Sequence, residues 1–150
     1  MIFPKLEYSL DFLANQAQRY SVDVKTIEQD ITNLSNFKDN TFDFVASYGV
    51  LHHSADPLKG LKEHLRVLKP NGVMWMYFYG AGGVYWDVYD IFRDVMSKYD
   101  TEEVRSILFM LGIREGLIYT FLDNLFAPRI YFKREAIEKI VIESGCSIQD

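Results

Sequence analysis

Two adjacent histidines, His52 and His53, are the side chains in this 150-residue sequence best suited to move a proton near neutral pH. They follow the segment Tyr-Gly-Val-Leu (48–51), in which Gly49 would let a ligand approach the backbone closely. Adjacent residues do not share a helix face, and no Cys or carboxylate set accompanies them, so no metal site is predicted. A hydrogen-bonded structural histidine is the alternative to a role in proton transfer. The third histidine, His64, is predicted to face solvent.

Asp30 and Ile31 form a second candidate binding pair. Residues 22–28 alternate loosely in hydrophobicity, which predicts a strand that ends at residues 29–31. Open parallel sheets bind ligands at the carboxyl ends of their strands, so the Asp30 carboxylate could accept a hydrogen bond from a ligand amino group there. The N–H of Ile31 could reach a ring nitrogen of the same ligand. The alternative is that Asp30 only caps a turn or a helix.

One strand–loop–helix–turn–strand unit, residues 42–80, must position these residues. Residues 42–48 are rich in β-branched and aromatic side chains, which predicts a strand. Asp56 is a suitable cap for the next helix, and Pro57 suits its first position because proline has no N–H that needs a partner there. Residues 73–79 are almost wholly apolar, which predicts a strand buried on both faces of a parallel sheet.

The segment from Phe42 to Gly72 begins Phe-Asp-Phe-Val-Ala-Ser-Tyr-Gly-Val-Leu-His-His and ends Arg-Val-Leu-Lys-Pro-Asn-Gly. It resembles the central part of class I S-adenosylmethionine (SAM)-dependent methyltransferases of the small-molecule type, similar to methyltransferase domain 11. The likeness extends from about Tyr8 to the end of the chain. It implies an α/β fold: a partial Rossmann-like, mostly parallel sheet with helices on both faces and a helical insertion.

The resemblance also implies that SAM is the cofactor and that residues 30–31 contact its adenine. A sulfonium cation is attracted by aromatic faces and carbonyl dipoles. The residues that could line the sulfonium and methionine part are Tyr48, Gly49 and Val50. A tight turn without a ligand role is the alternative for these three residues.

Residues 84–126 are predicted to be a helical lid or insertion within a single partial methyltransferase domain that covers residues 1–150. In the family, insertions at this place cover the substrate pocket, although the dense aromatic residues could simply pack the helices together. His53 is the candidate general base for an oxygen or nitrogen acceptor. The candidate substrate or lid residues are His52, Tyr79, Tyr85 and Trp86.

The sequence departs from the family at the donor site. It lacks the Gly-x-Gly-x-Gly loop, and the acid that would bind the ribose is absent near Phe3 or Pro4, with Glu7 a poor substitute. The glycines at 80–83 have the wrong spacing for that loop. Without the family's first strand, the remaining strands would either lack a neighbour or pair directly in a reduced sheet. We therefore expect part of a methyltransferase, or a chain that needs a partner, with weak or no SAM binding of its own.

Composition restricts the other classes of function. Hydrophobic residues make up 49% and charged residues 25% of the chain, as in globular domains, and the net charge of −5 disfavours a general nucleic-acid surface. Cys146 is the single cysteine, so an internal disulfide is excluded and a reducing, cytoplasmic location is expected. No uncharged run reaches the roughly 18 residues of a membrane span, so no membrane association is predicted.

The sequence thus predicts methyl transfer (EC 2.1.1) from SAM to a small-molecule acceptor by a truncated or incomplete enzyme. The alternative is a non-catalytic, methyltransferase-like module that uses its aromatic helical insertion to form a homodimer or bind a protein partner. A Rossmann-like enzyme for another nucleotide is the weakest option, because the sequence has no glycine fingerprint.

Overall fold

The computed structural model describes residues 6–149, which divide into two units. One unit lies within residues 6–28 and 96–126 and is helical, and the other lies within residues 29–95 and 127–149 and contains the α/β elements. Phe3 and Pro4, near which the ribose-binding acid is expected, lie outside the described residues. The assignment of one domain with a lid at 84–126 stays a prediction.

The α/β unit is built on a parallel strand pair joined by a helix, as the sequence predicts. Strand β1 (Phe42–Tyr48) pairs with strand β2 (Leu68–Tyr77), and helix α2 (Pro57–Val67) connects them. The Asp56 carboxylate accepts a hydrogen bond from the N–H of Lys59 at 3.0 Å, which confirms Asp56 as the helix cap. This parallel pair confirms the α/β, Rossmann-like class that the sequence indicates.

Strand β2 begins earlier than predicted, directly after α2, and contains a bulge at residues 69–72. Leu68 pairs with Phe42, but the next pair joins Val73 to Phe44, so the extra residues loop out of the ladder. A Cβ added at Gly72 would lie 2.9 Å from the carbonyl oxygen of Lys69. Glycine is therefore required at this position because the two backbone segments approach so closely.

One face of the sheet carries the hydrophobic core. Helices α2 and α6 (Arg134–Glu143) pack on this face. The core residues and their neighbours are Leu51, Leu61, Leu65, Ile31, Met74, Met76, Phe78, Ile137, Ile140 and Cys146. The prediction that β2 is buried on both faces is wrong, because the alternate side chains of the two strands are exposed. These are Phe44, Tyr48, Val73, Trp75 and Tyr77.

Residues 22–28 do not form a strand, so this prediction is wrong. Val22, Val24 and Ile27 are all at least 41% exposed. Backbone groups of a strand need a hydrogen-bonded neighbour, and the sheet among residues 6–149 consists of β1 and β2 alone. Direct pairing of β1 with β2 is the reduced sheet that was one of the two alternatives.

The loop that carries Asp30 is fixed to α2 by Arg66 and Glu63. Arg66 donates from Nη1 to the carbonyl of Phe37 at 2.9 Å, and the N–H of Leu34 donates to Glu63 Oε2 at 2.8 Å. Arg66 and Glu63 also pair with each other at 2.9 Å, and this contact lowers the pKa of the Glu63 carboxyl group. Backbone groups of the loop are therefore satisfied by α2 instead of by a strand partner.

His64 is buried on α2, which contradicts the prediction that it faces solvent. Its Nδ1 lies 2.7 Å from the carbonyl oxygen of Gly60, one turn earlier in the same helix. A carbonyl oxygen can only accept, so Nδ1–H is the donor. This contact directs the ring along the helix and away from water.

The remaining elements are helical, and the predicted helical character of residues 84–126 is confirmed. These helices are α1 (Leu6–Arg19), α3 (Val84–Met96), α4 (Thr101–Met110) and α5 (Glu115–Phe126). Gly112, with a φ of +75°, ends the turn after α4, and α4 packs against α5. None of the described helices combines the length and apolar character needed to cross a lipid bilayer.

Candidate active site

The chain turns sharply where β1 ends, and this turn carries most of the predicted site residues. Gly49 has a φ of +67°, a conformation that strains other residues. Leu51–His53 then form a single 3-10 turn in which the N–H of His53 donates to the carbonyl of Val50 at 3.0 Å. Leu51 is buried in the core and Val50 is exposed, so the turn is anchored from one side only.

His52 is fully buried at this turn. Its ring stacks on Tyr79 with centroids 3.7 Å apart and meets the Tyr77 ring edge-on at 6.1 Å. Neither ring nitrogen has a hydrogen-bond partner of normal geometry among the described residues. Burial lowers the pKa of His52 to about 4, and the charges of His53 and Arg129 contribute further. The ring is therefore neutral at pH 7. A contact with the backbone of Tyr77 opposes part of the pKa shift, but it is not a hydrogen bond of normal geometry.

His53 has a different environment, although it is the next residue. Its Nδ1 lies 2.6 Å from the carbonyl oxygen of Pro128. Because that oxygen can only accept, we infer that Nδ1 carries the proton and that the neutral ring keeps its lone pair on Nε2. The His53 ring also meets the Tyr79 ring edge-on at 5.6 Å. The arrangement gives an oriented imidazole in the tautomer that a general base requires.

Residues 127–132, called here the crossing segment, run past the carboxyl ends of both strands. The N–H of Ile130 donates to the carbonyl of His52 at 2.9 Å. Further along, the N–H of Phe132 donates to the carbonyl of Tyr79 at 2.9 Å, and the N–H of Ala81 donates to Phe132 at 2.8 Å. These main-chain bonds hold the crossing segment beside both histidines.

The crossing segment brings in Arg129, which the sequence analysis missed. The guanidinium carbon lies 5.4 Å from the centre of the Tyr79 ring and 5.2 Å from that of Trp86, and its Nε and Nη1 atoms are shielded from solvent. In the sequence, Arg129 is a basic residue directly after Pro128, just beyond the predicted helical insertion. No local pattern indicates that this residue meets a strand end far away in the sequence.

The predicted substrate residues form one connected group of rings. Trp86 lies 4.6 Å from Tyr79 and 4.7 Å from Tyr85, measured between ring centroids. Tyr85 is exposed, and its hydrogen bond with Tyr89 raises the pKa of its phenol. Tyr131 also contacts Trp86, at 5.3 Å. The structure therefore brings His52, His53, Tyr79, Tyr85 and Trp86 together.

Tyr48 joins this group through one intermediate ring. It is 72% exposed and stacks on Trp75 at 5.3 Å and on Tyr77 at 5.4 Å. Tyr77 in turn meets Tyr79 edge-on at 5.9 Å. An exposed ring at the end of a parallel strand can offer its face to a cation, so the predicted role of Tyr48 is chemically feasible and stays a prediction.

Asp30 and Ile31 lie beside the turn without the strand that was predicted to lead to them. Asp30 Oδ1 accepts hydrogen bonds from the N–H and the hydroxyl of Thr32 at 2.8 and 2.9 Å, and these bonds lower the pKa of the carboxyl group. Ile31 packs against the core that contains Leu51. The local turn anticipated as an alternative is thus present, and contact with adenine stays a prediction.

The described residues provide no arrangement of three His, Cys, Asp or Glu side chains that could hold a metal ion. The chemistry at the carboxyl ends is instead that of two imidazoles, one guanidinium and several aromatic rings.

Comparison with known proteins identifies a family for the first half of the chain. Residues 5–76 match the family model described as a methyltransferase domain. Among solved structures, the chain is similar to a chain in the complex between the Haloferax volcanii Trm112 methyltransferase activator and a methyltransferase. That match has 18% identity and a TM-score of 0.49, and it covers 90% of this chain but 47% of the other. This chain thus spans about half the length of the protein that it matches.

The family match covers α1, β1, α2 and almost all of β2, which include the parallel β–α–β unit and the turn with both histidines. The match to residues 5–76 therefore supports a class I, SAM-dependent methyltransferase domain, of which the chain has a partial, Rossmann-like fold.

Proposed function

We propose that this chain takes part in methyl transfer from SAM to a small-molecule acceptor, with His53 as the general base. The family match supports methyl transfer in general. The observation that carries the specific proposal is the 2.6 Å contact between His53 Nδ1 and the Pro128 carbonyl, which leaves Nε2 free to accept a proton.

SAM supplies an electrophilic methyl group, so the protein mainly has to position the acceptor and remove its proton. When bound, SAM would supply the methyl group to the acceptor oxygen or nitrogen and would leave as S-adenosylhomocysteine once its S–CH3 bond has broken. His53 Nε2 takes the proton of the acceptor O–H or N–H. The rings of Tyr79, Tyr85 and Trp86 exclude water from this place and contact the acceptor.

The residues that remain for SAM suit its adenine and sulfonium rather than its carboxylate. The Asp30 carboxylate is exposed and its lowered pKa keeps it ionised, so it can accept a hydrogen bond from an amino group. Gly49 leaves the backbone accessible, and the Tyr48 ring is exposed beside it. The sequence of residues 1–150 contains no Gly-x-Gly-x-Gly loop to bind the carboxylate end. Donor binding by this chain alone is therefore expected to be weak.

Calorimetry with S-adenosylhomocysteine tests the donor site. We expect a Kd of about 1 mM or weaker for the chain as it stands. In an extended version, the first strand and Gly-x-Gly-x-Gly turn of a methyltransferase are fused before residue 1. This extended version should bind S-adenosylhomocysteine at least tenfold more tightly. In that version Asp30→Ala should weaken binding by about three- to tenfold, the effect of one hydrogen bond. Tight binding by the unextended chain would refute the idea of an incomplete donor site.

Two measurements test the role of His53. Nitrogen-15 NMR should show its proton on Nδ1, with His64 as an internal reference because its Nδ1 also meets a carbonyl oxygen. In the extended version, transfer of labelled methyl groups to a panel of phenols and amines should fall about 10²- to 10⁴-fold in His53→Gln. His64→Gln, which lies outside the site, should retain the rate in folded protein. A proton on Nε2 of His53, or an unchanged rate in His53→Gln, would contradict the proposal.

A non-catalytic interaction module is the second candidate, and exposed apolar side chains in the helical region favour it. Ile91 and Phe92 of α3 are 67% and 56% exposed, and Phe109 and Met110 of α4 are 69% and 76% exposed. Apolar patches of this kind often mark protein interaction sites. Size-exclusion chromatography with light scattering distinguishes the candidates: a strictly monomeric chain whose extended version binds S-adenosylhomocysteine would remove the interaction module.

A further inference from the structure

The surroundings of Arg129 suit a negatively charged ligand. The guanidinium lies within 5.4 Å of the Tyr79 and Trp86 ring centres, in the same segment whose Pro128 orients His53. The guanidinium is planar, so when it packs on aromatic faces its edge can still donate a hydrogen bond to a carboxylate and its charge attracts the anion. The charge and the candidate base are therefore next to each other.

The electrostatics around Arg129 point in the same direction. Burial is the main cause of the lowered pKa of His52, and the positive charge of Arg129 adds to it. The pKa values of Tyr85 and Tyr131 are raised, chiefly by the Tyr89 hydrogen bond and by burial respectively, and Arg129 offsets only part of these shifts. The nearby carboxylate of Asp90 accepts a hydrogen bond from the Tyr131 hydroxyl at 2.9 Å and lies 3.8 Å from Arg93. A ligand anion would thus meet the positive charge of Arg129 beside a His52 ring that stays neutral.

His52 gives an independent reason to expect a polar ligand. The ring is fully buried, and among the described residues neither nitrogen makes a hydrogen bond of normal geometry, which costs free energy unless a better partner binds. The ring stacks on Tyr79, the same ring that Arg129 contacts. A ligand held by Arg129 would bring oxygen atoms to this place, while the partly exposed Trp86 and Tyr85 would pack against a flat apolar body.

We propose that Arg129 anchors the carboxylate of an aromatic acid, and that the acceptor in the proposed methyl transfer belongs to this class of compounds. The second clause rests on the proposed function, whereas the binding of an aromatic carboxylate does not. The anchor would hold the acceptor with its O–H or N–H towards His53, because Pro128 and Arg129 are consecutive.

Fluorescence of Trp86 can report this binding directly. The chain has two tryptophans, so Trp75→Phe leaves Trp86 as the single indole while keeping a ring beside Tyr48. In this background, benzoate should change Trp86 emission saturably, and the neutral analogue benzamide should bind at least tenfold more weakly. Neither SAM nor catalysis is needed, so failure here and failure of the donor-site test are distinguishable.

Substitutions of Arg129 decide the result. Arg129→Gln should weaken benzoate binding by about ten- to a hundredfold, the effect of a charge-assisted hydrogen-bonded contact, and Arg129→Lys should lie between. Arg105→Gln on α4 is the matched control, since Arg105 pairs with Glu102 and Glu115 outside the site, and it should leave binding unchanged. Circular dichroism checks that each variant folds. If Arg129→Gln does not fold, benzoate binding by Arg129→Lys decides the test.

L-Methionine distinguishes the two sources of a carboxylate, because it carries the donor's carboxylate without an aromatic ring. An Arg129-dependent response to L-methionine with none to benzoate would assign Arg129 to the donor and overturn the proposal. Equal responses to benzoate and benzamide, or benzoate binding unchanged in Arg129→Gln, would also overturn it.

Discussion

The two ends of the β1–β2 pair differ in size and in chemistry. At the amino end, between β2 and α6, lies a cavity of about 680 Å³ whose lining includes Met74, Met76, Ile137 and Val141. At the carboxyl end the rings of His52, Tyr79 and Trp86 pack on one another. The amino-end cavity is therefore not at the end that carries the histidines and Arg129.

The residues at the two ends of the strand pair suit different roles. The lining of the amino-end cavity contains neither histidine nor arginine nor an aromatic ring. The carboxyl end has an oriented imidazole, a guanidinium and the fully buried ring of His52. It is also the end at which open parallel sheets bind ligands. We therefore interpret the amino end as scaffold and the carboxyl end as the functional side.

The largest effect that can test this difference between the two ends is the contribution of His52 to the pH dependence of the free energy of unfolding. Its pKa is about 4 in the folded chain and about 6.5 when unfolded, so the unfolded state binds the proton preferentially between these values. The stabilisation is complete above pH 6.5 and is lost as pH falls to 4, by about 3 kcal/mol. Urea unfolding at a series of pH values measures it.

His52→Phe is the matched variant, because it keeps an aromatic ring and removes the titrating group. Carboxylates with a lowered pKa, such as Glu63, also lose stabilisation in acid. The informative quantity is therefore the difference in pH dependence between the unfolding free energies of wild type and variant. If both proteins show the same pH slope between 4 and 6.5, His52 is not buried as the structure describes.

The next effect concerns the amino end. In Gly72→Ala the new methyl group would lie 2.9 Å from the Lys69 carbonyl and 3.0 Å from that of Asp43, and backbone atoms cannot move aside easily. We expect a loss of about 2–3 kcal/mol in the free energy of unfolding. Gly80→Ala is the control, since nothing lies within 4 Å of an added Cβ there, and it should change stability by less than about 0.5 kcal/mol. Equal effects would mean that the bulge is not tightly packed.

A smaller effect is expected at the carboxyl end from Gly60→Ala. The added methyl group would overlap Cδ2 of Leu51, which is the end of a side chain that can rotate, although in a packed core. We expect a loss of about 1–2 kcal/mol. Because Leu51 anchors the turn, the NMR signals of His52 and His53 should also shift, whereas in Gly72→Ala they should not. Unshifted histidine signals in Gly60→Ala would show that the turn does not depend on this packing.

Local features of the sequence predicted the β–α–β unit but not its surroundings. Asp56 and Pro57 mark the start of α2 because capping depends on neighbouring residues alone. Residues 22–28 have the pattern of a half-buried strand, yet a strand forms only where another can pair with it, and the pattern does not contain that information. Whether each face of β2 is covered depends in the same way on elements remote in sequence.

The candidate site shows the same limit. The two histidines and the ring residues could be identified because their types suit the chemistry and a family resemblance placed them at a strand end. The different roles of His52 and His53 could not be predicted, because the contact that orients His53 is with Pro128, 75 positions away in the sequence. Arg129 was missed for the same reason, since only the folded crossing segment brings it to Tyr79.

The partner that orients His53 is a main-chain oxygen, and a main-chain oxygen is present whatever side chain stands at position 128. Replacing Pro128 would therefore leave the acceptor atom in the chain, and mutation at that site is a poor way to disable the base. Adding or deleting one residue between Phe126 and Ile130 would displace the oxygen and release the ring. Within this segment, the proposed chemistry tolerates changes of residue type but not of chain length.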